Sequence, residues 1–538
     1  MERGCSWLIL PLLLFLAAFL FLPALGVLVD AFRGSRGAAG LLEVLAKRYS
    51  VRAFRFSLYQ ALLSTLLSVA LGYPAGYLVA RYEFRGRRLL RSLSLTSFAA
   101  PTIVVALGFS TLFGHRSPLV RLLPSLHALG EGLTGILAAH AFYNVPLVLH
   151  VVSSSLERID PEIEESSIIL GDTGLRRFLK IELPQTLHAL ATASLLTFLY
   201  CFTSFAVPVV IGGVAYRTVE VEIYSNYRVY IDYQAAASLA AAQLAALTGV
   251  AALYARLAVE RGALIEPGYG ERSLARKPRG VAGALALAYI SLLALFLSAP
   301  LLTVPITAFT NPYTGRLRLE VLAELLSPKP DPALGVPLLL PVLNSIVYST
   351  IAALVAVTLS ALAAASRVSR WIKVVVATAP LAISSAVLAL GLYRVYVRGG
   401  FLEGSEWILV SCSYAVMAVP LAFNVLDVGL ARVAPELVEA AYVLGDDWLG
   451  ALVRVRLPLA SSALLSAFAL SLSVGLGEFT ATLMLVKPEY TTMTVAVYRL
   501  LGARRFQEAS LMSTILIACE ALALLLAQVW GGGVERRG

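Results

Sequence analysis

Glu165-Ser166-Ser167, three residues, Gly171, nine residues and Ile181-Glu182-Leu183-Pro184 make one phrase of this chain. Glu439-Ala440-Ala441, three residues, Gly445, nine residues and Val455-Arg456-Leu457-Pro458 repeat it 274 positions later. The chemistry such residues support is recognition rather than bond making. An acidic residue near a helix start suits the positive end of the helix dipole, and the small residues beside it leave little bulk. Glycine lets another backbone approach closely at a cost in helix propensity. On a helix starting near Glu165, the residues Gly171, Leu175, Phe178 and Leu179 share a face; Gly445, Leu449, Leu452 and Val453 do so in the second copy. Leu-Pro then ends each segment, because proline cannot continue the amide ladder. One amphipathic helix of this kind could equally rest on lipid headgroups. Two copies with the same punctuation point to a docking surface for a paired partner.

Other chemically capable groups are sparse. Glu478 and Glu520 fall within apolar runs, where ionised carboxylates are expensive and usually face a cavity or a partner. Glu478 follows Gly475 and Gly477, and its repeat mate is the polar Ser204, so Ser204 and Glu478 are candidates for lining a path. Glu520 reads as a packing carboxylate, and His140, Asn144 and His150 as buried hydrogen-bonding groups. Tyr216, Tyr224, Tyr227, Tyr230 and Tyr233 lie in a stretch from Gly212 to Tyr233 that reads as an outward loop with an interfacial aromatic belt, some of it available to an external partner. Cys5, Cys201, Cys412 and Cys519 form no C-x-x-C pair and have no histidine at metal-site spacing, which predicts neither a disulfide nor a metal centre. A phosphate-cradling P-loop needs Gly-Lys followed by Ser or Thr, and the chain contains no Gly-Lys dipeptide. No Ser-His-Asp, zinc or paired-carboxylate constellation stands out either, so the chain is not read as an enzyme, and it binds no cofactor of its own.

The elements that must position these residues are membrane helices. Of 538 residues 59% are hydrophobic and 14% charged, with a mean hydropathy of +0.80, far from a water-soluble composition. This predicts an all-α polytopic membrane protein held in the lipid bilayer, with no role for nucleic acid. About 20 apolar residues are needed per crossing, and backbone amides in lipid must bond internally. Twelve runs qualify: 7–28, 57–80, 95–113, 134–153, 186–211 and 236–257, then 281–308, 340–365, 374–397, 406–428, 459–486 and 509–530. Basic loops at 81–91, 158–180, 256–279 and 367–373 fall on one side, which the positive-inside rule names cytoplasmic, together with both termini and both repeated phrases. Arg33, Arg36, Lys47, Arg48, Arg52 and Arg55 on the opposite side weaken that bias.

The duplication extends well past the motif. At the same offset Pro146 matches Pro420, Phe205 matches Phe479, Tyr224 matches Tyr498 and Ala235 matches Ala509. Upstream the offset is 283, aligning Ala106-Leu107-Gly108 with Ala389-Leu390-Gly391, so the halves differ by nine residues between their third and fourth runs. Two parallel six-helix halves, 1–258 and 280–538, are expected, joined by a charged cytoplasmic linker over 259–279 that holds them at high effective concentration.

E-A-A, three residues, G, nine residues, I-x-L-P resembles the signature of the integral-membrane permease subunits of binding-protein-dependent ABC importers. Both copies match in spacing, the first carrying Ser166-Ser167 in place of two alanines. The resemblance implies a type I ABC importer permease fold in the cell membrane. It also implies coupling to two cytoplasmic ABC ATPase subunits, which would hold the ATP, through helices bearing Glu165, Gly171, Leu175 and Phe178 and Glu439, Ala440, Ala441, Gly445, Leu449 and Leu452. An external substrate-binding protein would deliver the cargo. Two halves in one chain look like the ferric-iron and thiamine branch, and FTSFAVPVVIGG followed by TVEVEIY is most similar to the thiamine permeases. Twelve spans in two parallel halves also describe ion-coupled secondary transporters, the alternative reading.

Overall fold

The computed structural model describes residues 6–33, 37–115, 117–172, 174–213, 215–260, 277–310 and 316–531. Among them no strand forms beyond an isolated bridge between Thr310 and Leu317. Among the described residues nine helices are long and apolar enough to cross a membrane, and three bent pairs raise the number to twelve if each pair is one span. In chain order the first half contains α1 Ser6–Phe32, α2 Arg48–Arg81, α3 Arg87–Ala99 with Thr102–Leu112, α4 Gly132–Glu157, α5 Leu175–Phe202 and α6 Tyr233–Tyr254. The second contains α7 Gly280–Phe309, α8 Leu340–Ala365, α9 Arg370–Ala382 with Ser385–Val397, α10 Glu406–Ala431, α11 Trp448–Leu459 with Ser461–Gly477, and α12 Phe506–Leu526. Residues 261–276 of the expected linker lie outside the described residues.

Several expected runs are not the straight spans their hydropathy suggests. α3 bends by 107° at Ala100-Pro101, where proline bars the preceding residue from helical ψ and Ala100 sits at ψ 135°. α9 bends by 85°, with Ile383 extended and the Ser384 hydroxyl accepting from the Val387 amide to start the next piece. α11 bends by 74° at Ala460. The run at 186–211 stops at Phe202 and the run at 459–486 stops at Gly477, each followed by a short separate helix. The stretch from Gly212 to Tyr233 is not an outward loop. It contains a helix over Val219–Tyr224 continued by a wide turn to Val229, with Val219, Ile223 and Tyr227 buried. An aromatic belt at the water interface is therefore the wrong reading for Tyr227, which packs on Tyr393 of the other half at 5.3 Å; Tyr230 and Tyr233 remain exposed.

The halves are interleaved. Within each, the second and fourth spans pack together (α2 with α4, α8 with α10) and the fifth lies across both. The first span of each half instead packs on its own sixth span and on the third span of the other half: α1 against α6 and α9, α7 against α12 and α3. Repeat-mate glycines make these crossings possible. A Cβ on Gly108 would lie 2.6 Å from the Pro300 carbonyl oxygen, and one on Gly391 would lie 2.4 Å from that of Pro23. Backbones approach this closely only where no side chain intervenes, which is how membrane helices gain packing without a hydrophobic driving force between them. At one crossing an Arg394–Asp30 ion pair at 2.6 Å and a Tyr396 hydroxyl donating to the Ala18 carbonyl at 2.9 Å add polar ties between the halves.

Candidate functional site

The repeated phrase folds as a helix, a sharp turn and a second short helix, not as one continuous amphipathic helix. The first helices are Pro161–Ile169 and Pro435–Val443, each with proline in its first turn; Glu165 and Glu439 lie one turn inside, exposed. The acids nearest the positive end are Glu162, Glu164 and Glu436. Asp160 caps the first copy by accepting from the Glu162 amide at 2.9 Å.

Gly171 and Gly445 end these helices at φ +84° and +95°. The Asp172 amide bonds Ser167 O and the Gly171 amide bonds Ile168 O; in the second copy Asp446 bonds Ala441 O and Gly445 bonds Tyr442 O. This is the Schellman pattern, which wants glycine at its left-handed position. Nothing lies within 4 Å of a Cβ built on either glycine. The backbone angle by itself requires glycine there, and among the described residues no other backbone makes the expected close approach to either position. The turn is braced identically in both copies, by Asp172 with Lys180 at 3.3 Å and by Asp446 with Arg454 at 2.8 Å.

The break also undoes the single face predicted for the apolar residues. Phe178 turns inward, edge-on to Tyr73 and Tyr77, and Leu452 is buried, whereas Leu175, Leu179, Leu449 and Val453 are exposed. Ala441 is buried and Ala440 exposed. The tip of each knob is an apolar pair immediately before the glycine that sequence reading missed: Ile169-Leu170, 84% and 82% exposed, and Val443-Leu444, 86% and 87% exposed. Leu-Pro does not end either segment. A wide turn at Phe178–Glu182 or Leu452–Arg456 precedes each proline and lets the helix run through it; the bend in α11 comes later, at Ala460.

Beneath the first knob Arg81, at the end of α2, pairs with the buried Glu164 and reaches Glu182 at 3.4 Å, while Arg177 reaches Glu182 at 3.3 Å. Arg87 and Arg91 converge on Glu157 at the end of α4. Burial lifts the Glu164 carboxyl above the usual carboxylate range, with Arg81 pulling the other way. In the second half Arg370 and Lys373 face Asp427 at 3.5 and 4.0 Å. The first knob therefore stands on buried ion pairs that join it to α2, whereas the second-half pairs tie α9 to α10.

At the far end of α5, 28 residues and about 40 Å of helix from the knob, the two halves meet on their internal axis. Phe205 and Phe479, repeat mates each 2% exposed, touch with ring centroids 5.5 Å apart. Phe205 also packs on Tyr224 at 5.3 Å, and Phe479 on Tyr498 at 5.4 Å, a second pair of repeat mates. Four rings from equivalent positions thus form one cluster where the halves meet.

Ser204 and Glu478, the expected path residues, immediately precede the two phenylalanines, and both are occupied by internal bonds. Ser204 meets His140 Nε2 at 2.9 Å, and the other ring nitrogen meets Ser64 at 2.9 Å. Glu478 accepts from the Ala481 amide at 2.9 Å and the Ser385 hydroxyl at 3.0 Å. The half-buried His150 bonds Ser94 at 2.8 Å, and the buried Asn144 donates to His140 O at 2.9 Å, so both are hydrogen-bonding groups. Glu520 is buried beside Gly477, with Oε1 lacking a hydrogen-bond partner. Glu220, which the loop reading passed over, is buried and accepts from Gln243 at 2.6 Å.

Residues 72–263 and 349–537 each match the family described as the binding-protein-dependent transport system inner membrane component. The chain belongs to this family. Both matches include a complete knob and that half's two rings of the cluster, so the family's unit occurs twice in the chain. The thiamine transport system permease protein ThiP of Haemophilus influenzae is 27% identical over 482 residues, covering 86% of this chain and 85% of that protein; the Escherichia coli ThiP is 26% identical over 495 residues, 90% of each. The sulfate transport system permease protein CysT of Salmonella typhimurium is 30% identical over 237 residues, 44% of this chain and 85% of that protein. A one-half relative beside two full-length ones agrees with the internal repeat. The protein is a multi-pass membrane permease of an ABC importer, which sets aside the ion-coupled alternative.

Proposed function

We propose that this permease supplies the whole translocation path of a thiamine importer, receiving one ATPase subunit on each knob and a substrate-loaded binding protein at the opposite face. The observation that carries this reading is the pair of equal knobs: the same turn, the same brace and the same exposed apolar tip recur in both halves. An apolar tip on an otherwise polar protrusion is suited to burial in a partner's groove. By chain parity the knobs and both termini share one face, the cytoplasmic one in this reading. The halves are residues 1–258 and 280–538, with 259–279 between them. ATP is held by the partner subunits, and this chain contributes no catalytic group.

Thiamine is favoured over ferric iron because relatives named for it span most of both chains. In this reading the four-ring cluster of Phe205, Tyr224, Phe479 and Tyr498 closes the path beyond Ser204 and Glu478. Closure of the ATPase pair would move the knobs and part the rings. Uptake measured in vesicles with the cognate ATPase and binding protein tests the reading. ATP-dependent accumulation of labelled thiamine, competed by excess thiamine and not by ferric iron or sulfate, is expected. Failure of the purified chain to recruit an ATPase subunit, or labelling of cysteines placed at 171 and 445 from the exterior, overturns it.

A further inference from the structure

The nine residues that distinguish the halves lie between α3 and α4, where the first half carries a helix over Pro118–Leu122 and a tight turn over Pro124–Leu129. Two of the chain's five histidines are in this segment, and the equivalent stretch from Arg398 to Ser405 has none. His115, His127 and Glu131 bring their ligand atoms within 4.8 Å of one another. His127 is held by Phe113: its Nδ1 lies 3.0 Å from the Phe113 carbonyl, which can only accept, so Nδ1 carries the hydrogen. The other ring nitrogen, Nε2, is turned toward Glu131. It lies 2.8 Å from Glu131 Oε1, yet it is buried with no hydrogen-bond partner. A ring nitrogen and a carboxylate oxygen this close, with no hydrogen bond formed between them, are placed as two ligands of one cation would be. The His115 ring lies against His127, tilted by 32° with centroids 3.6 Å apart, and both His115 and Glu131 are exposed enough to rotate onto a common ion.

We infer that this loop is a binding site for a single first-row divalent cation of the zinc type, with His115, His127 and Glu131 as protein ligands and a fourth position open to solvent. Two imidazoles and one carboxylate suit zinc, with bonds of about 2.0–2.2 Å. The Phe113 carbonyl is the outer-shell partner that fixes the tautomer of His127. Glycine backs this arrangement: a Cβ on Gly130 would fall 2.7 Å from the Phe113 carbonyl oxygen, so the turn presses onto the end of α3. A bound ion would join that turn to Glu131, which leads into α4, and hold the loop closed at the face opposite the knobs.

The test uses the full-length chain, purified in detergent through a tag without histidine, stripped with EDTA and titrated with zinc against a competing chromophoric chelator. One equivalent of zinc per chain is expected, weakened at least tenfold in His127→Gln and in Glu131→Gln. Cobalt should give the intense visible bands of a four-coordinate site in the wild type and lose them in both variants. Because His127 is partly buried, His115→Asn at the exposed ligand serves as a second variant, and it too should weaken binding at least tenfold while the chain elutes as before. Equal zinc binding by the wild type and His115→Asn, or no saturable cobalt spectrum, overturns the site.

Discussion

A glycine at φ near +90° tolerates few replacements, and Gly171 and Gly445 both sit there with open space around them. Gly445→Ala should therefore cost about 1 kcal/mol through backbone strain alone, slackening the knob and lowering, without abolishing, coupled ATP hydrolysis. Gly445→Glu adds a charge beside the docking tip and should abolish uptake while the protein still inserts. Normal uptake by Gly445→Glu would count against the docking role. The exposed pair beside it separates recognition from folding. Leu444→Asp removes little intramolecular packing, so thermal stability should hold within about 0.5 kcal/mol, while copurification of the ATPase subunit should be lost. At this scale the spacing of Glu, Gly and Pro was legible in the sequence, but the reason for the glycine was not, because a one-dimensional pattern does not reveal φ. Ile169-Leu170 and Val443-Leu444 escaped notice because apolar residues on a short helix look like core until burial shows them pointing outward.

Helical elements were legible wherever hydropathy decided them, since apolar runs of 20 or more residues in lipid have few alternatives to helix. The breaks were not, although Pro101 offered a hint, because the same apolar composition suits a straight span and two packed half-spans. The misread stretch from Gly212 to Tyr233 belongs here too. Its tyrosines suggested water, yet Tyr227 is buried against Tyr393, and Glu220 is buried with one oxygen bonded by Gln243. The ring cluster depends on those breaks, since Phe205 and Phe479 stand just after α5 and α11 end. Each ring contact of this kind contributes about 0.5–1.5 kcal/mol beyond simple burial, so losing one tilts a closed–open balance without unfolding the bundle. Phe205→Ala and Phe479→Ala should each raise ATP hydrolysis in the absence of the binding protein by several-fold. The double variant should show less than the product of the two effects, because either change removes the same central contact. Strictly multiplicative effects would mean that the two rings act separately.

At the scale of the molecule the repeat foretold two equal halves but not their interleaving. Hydropathy does not say on which bundle a span packs, and the decisive residues, Gly108 with Pro300 and Gly391 with Pro23, are unremarkable in sequence. Since a Cβ at Gly391 would fall 2.4 Å from backbone, Gly391→Val must push α1 off α9, at a cost in the range of about 1–3 kcal/mol for overpacking. Gly108→Val should do the same to α7. The crossing also determines what the single chain is for. Each half lends its first span to the other and half the rings to the cluster, so a half alone leaves α1 or α7 without its opposite partner. A covalent link keeps the halves at an effective concentration of the order of millimolar, whatever the abundance of the protein. Cutting the chain between 261 and 276 and coexpressing the pieces should therefore restore an assembled, transporting permease at high expression. Assembly should become concentration-dependent, and either piece expressed alone should aggregate or be degraded. A first half that purifies alone as a monodisperse species with native protease resistance would show that the interleaved spans are dispensable to its folding.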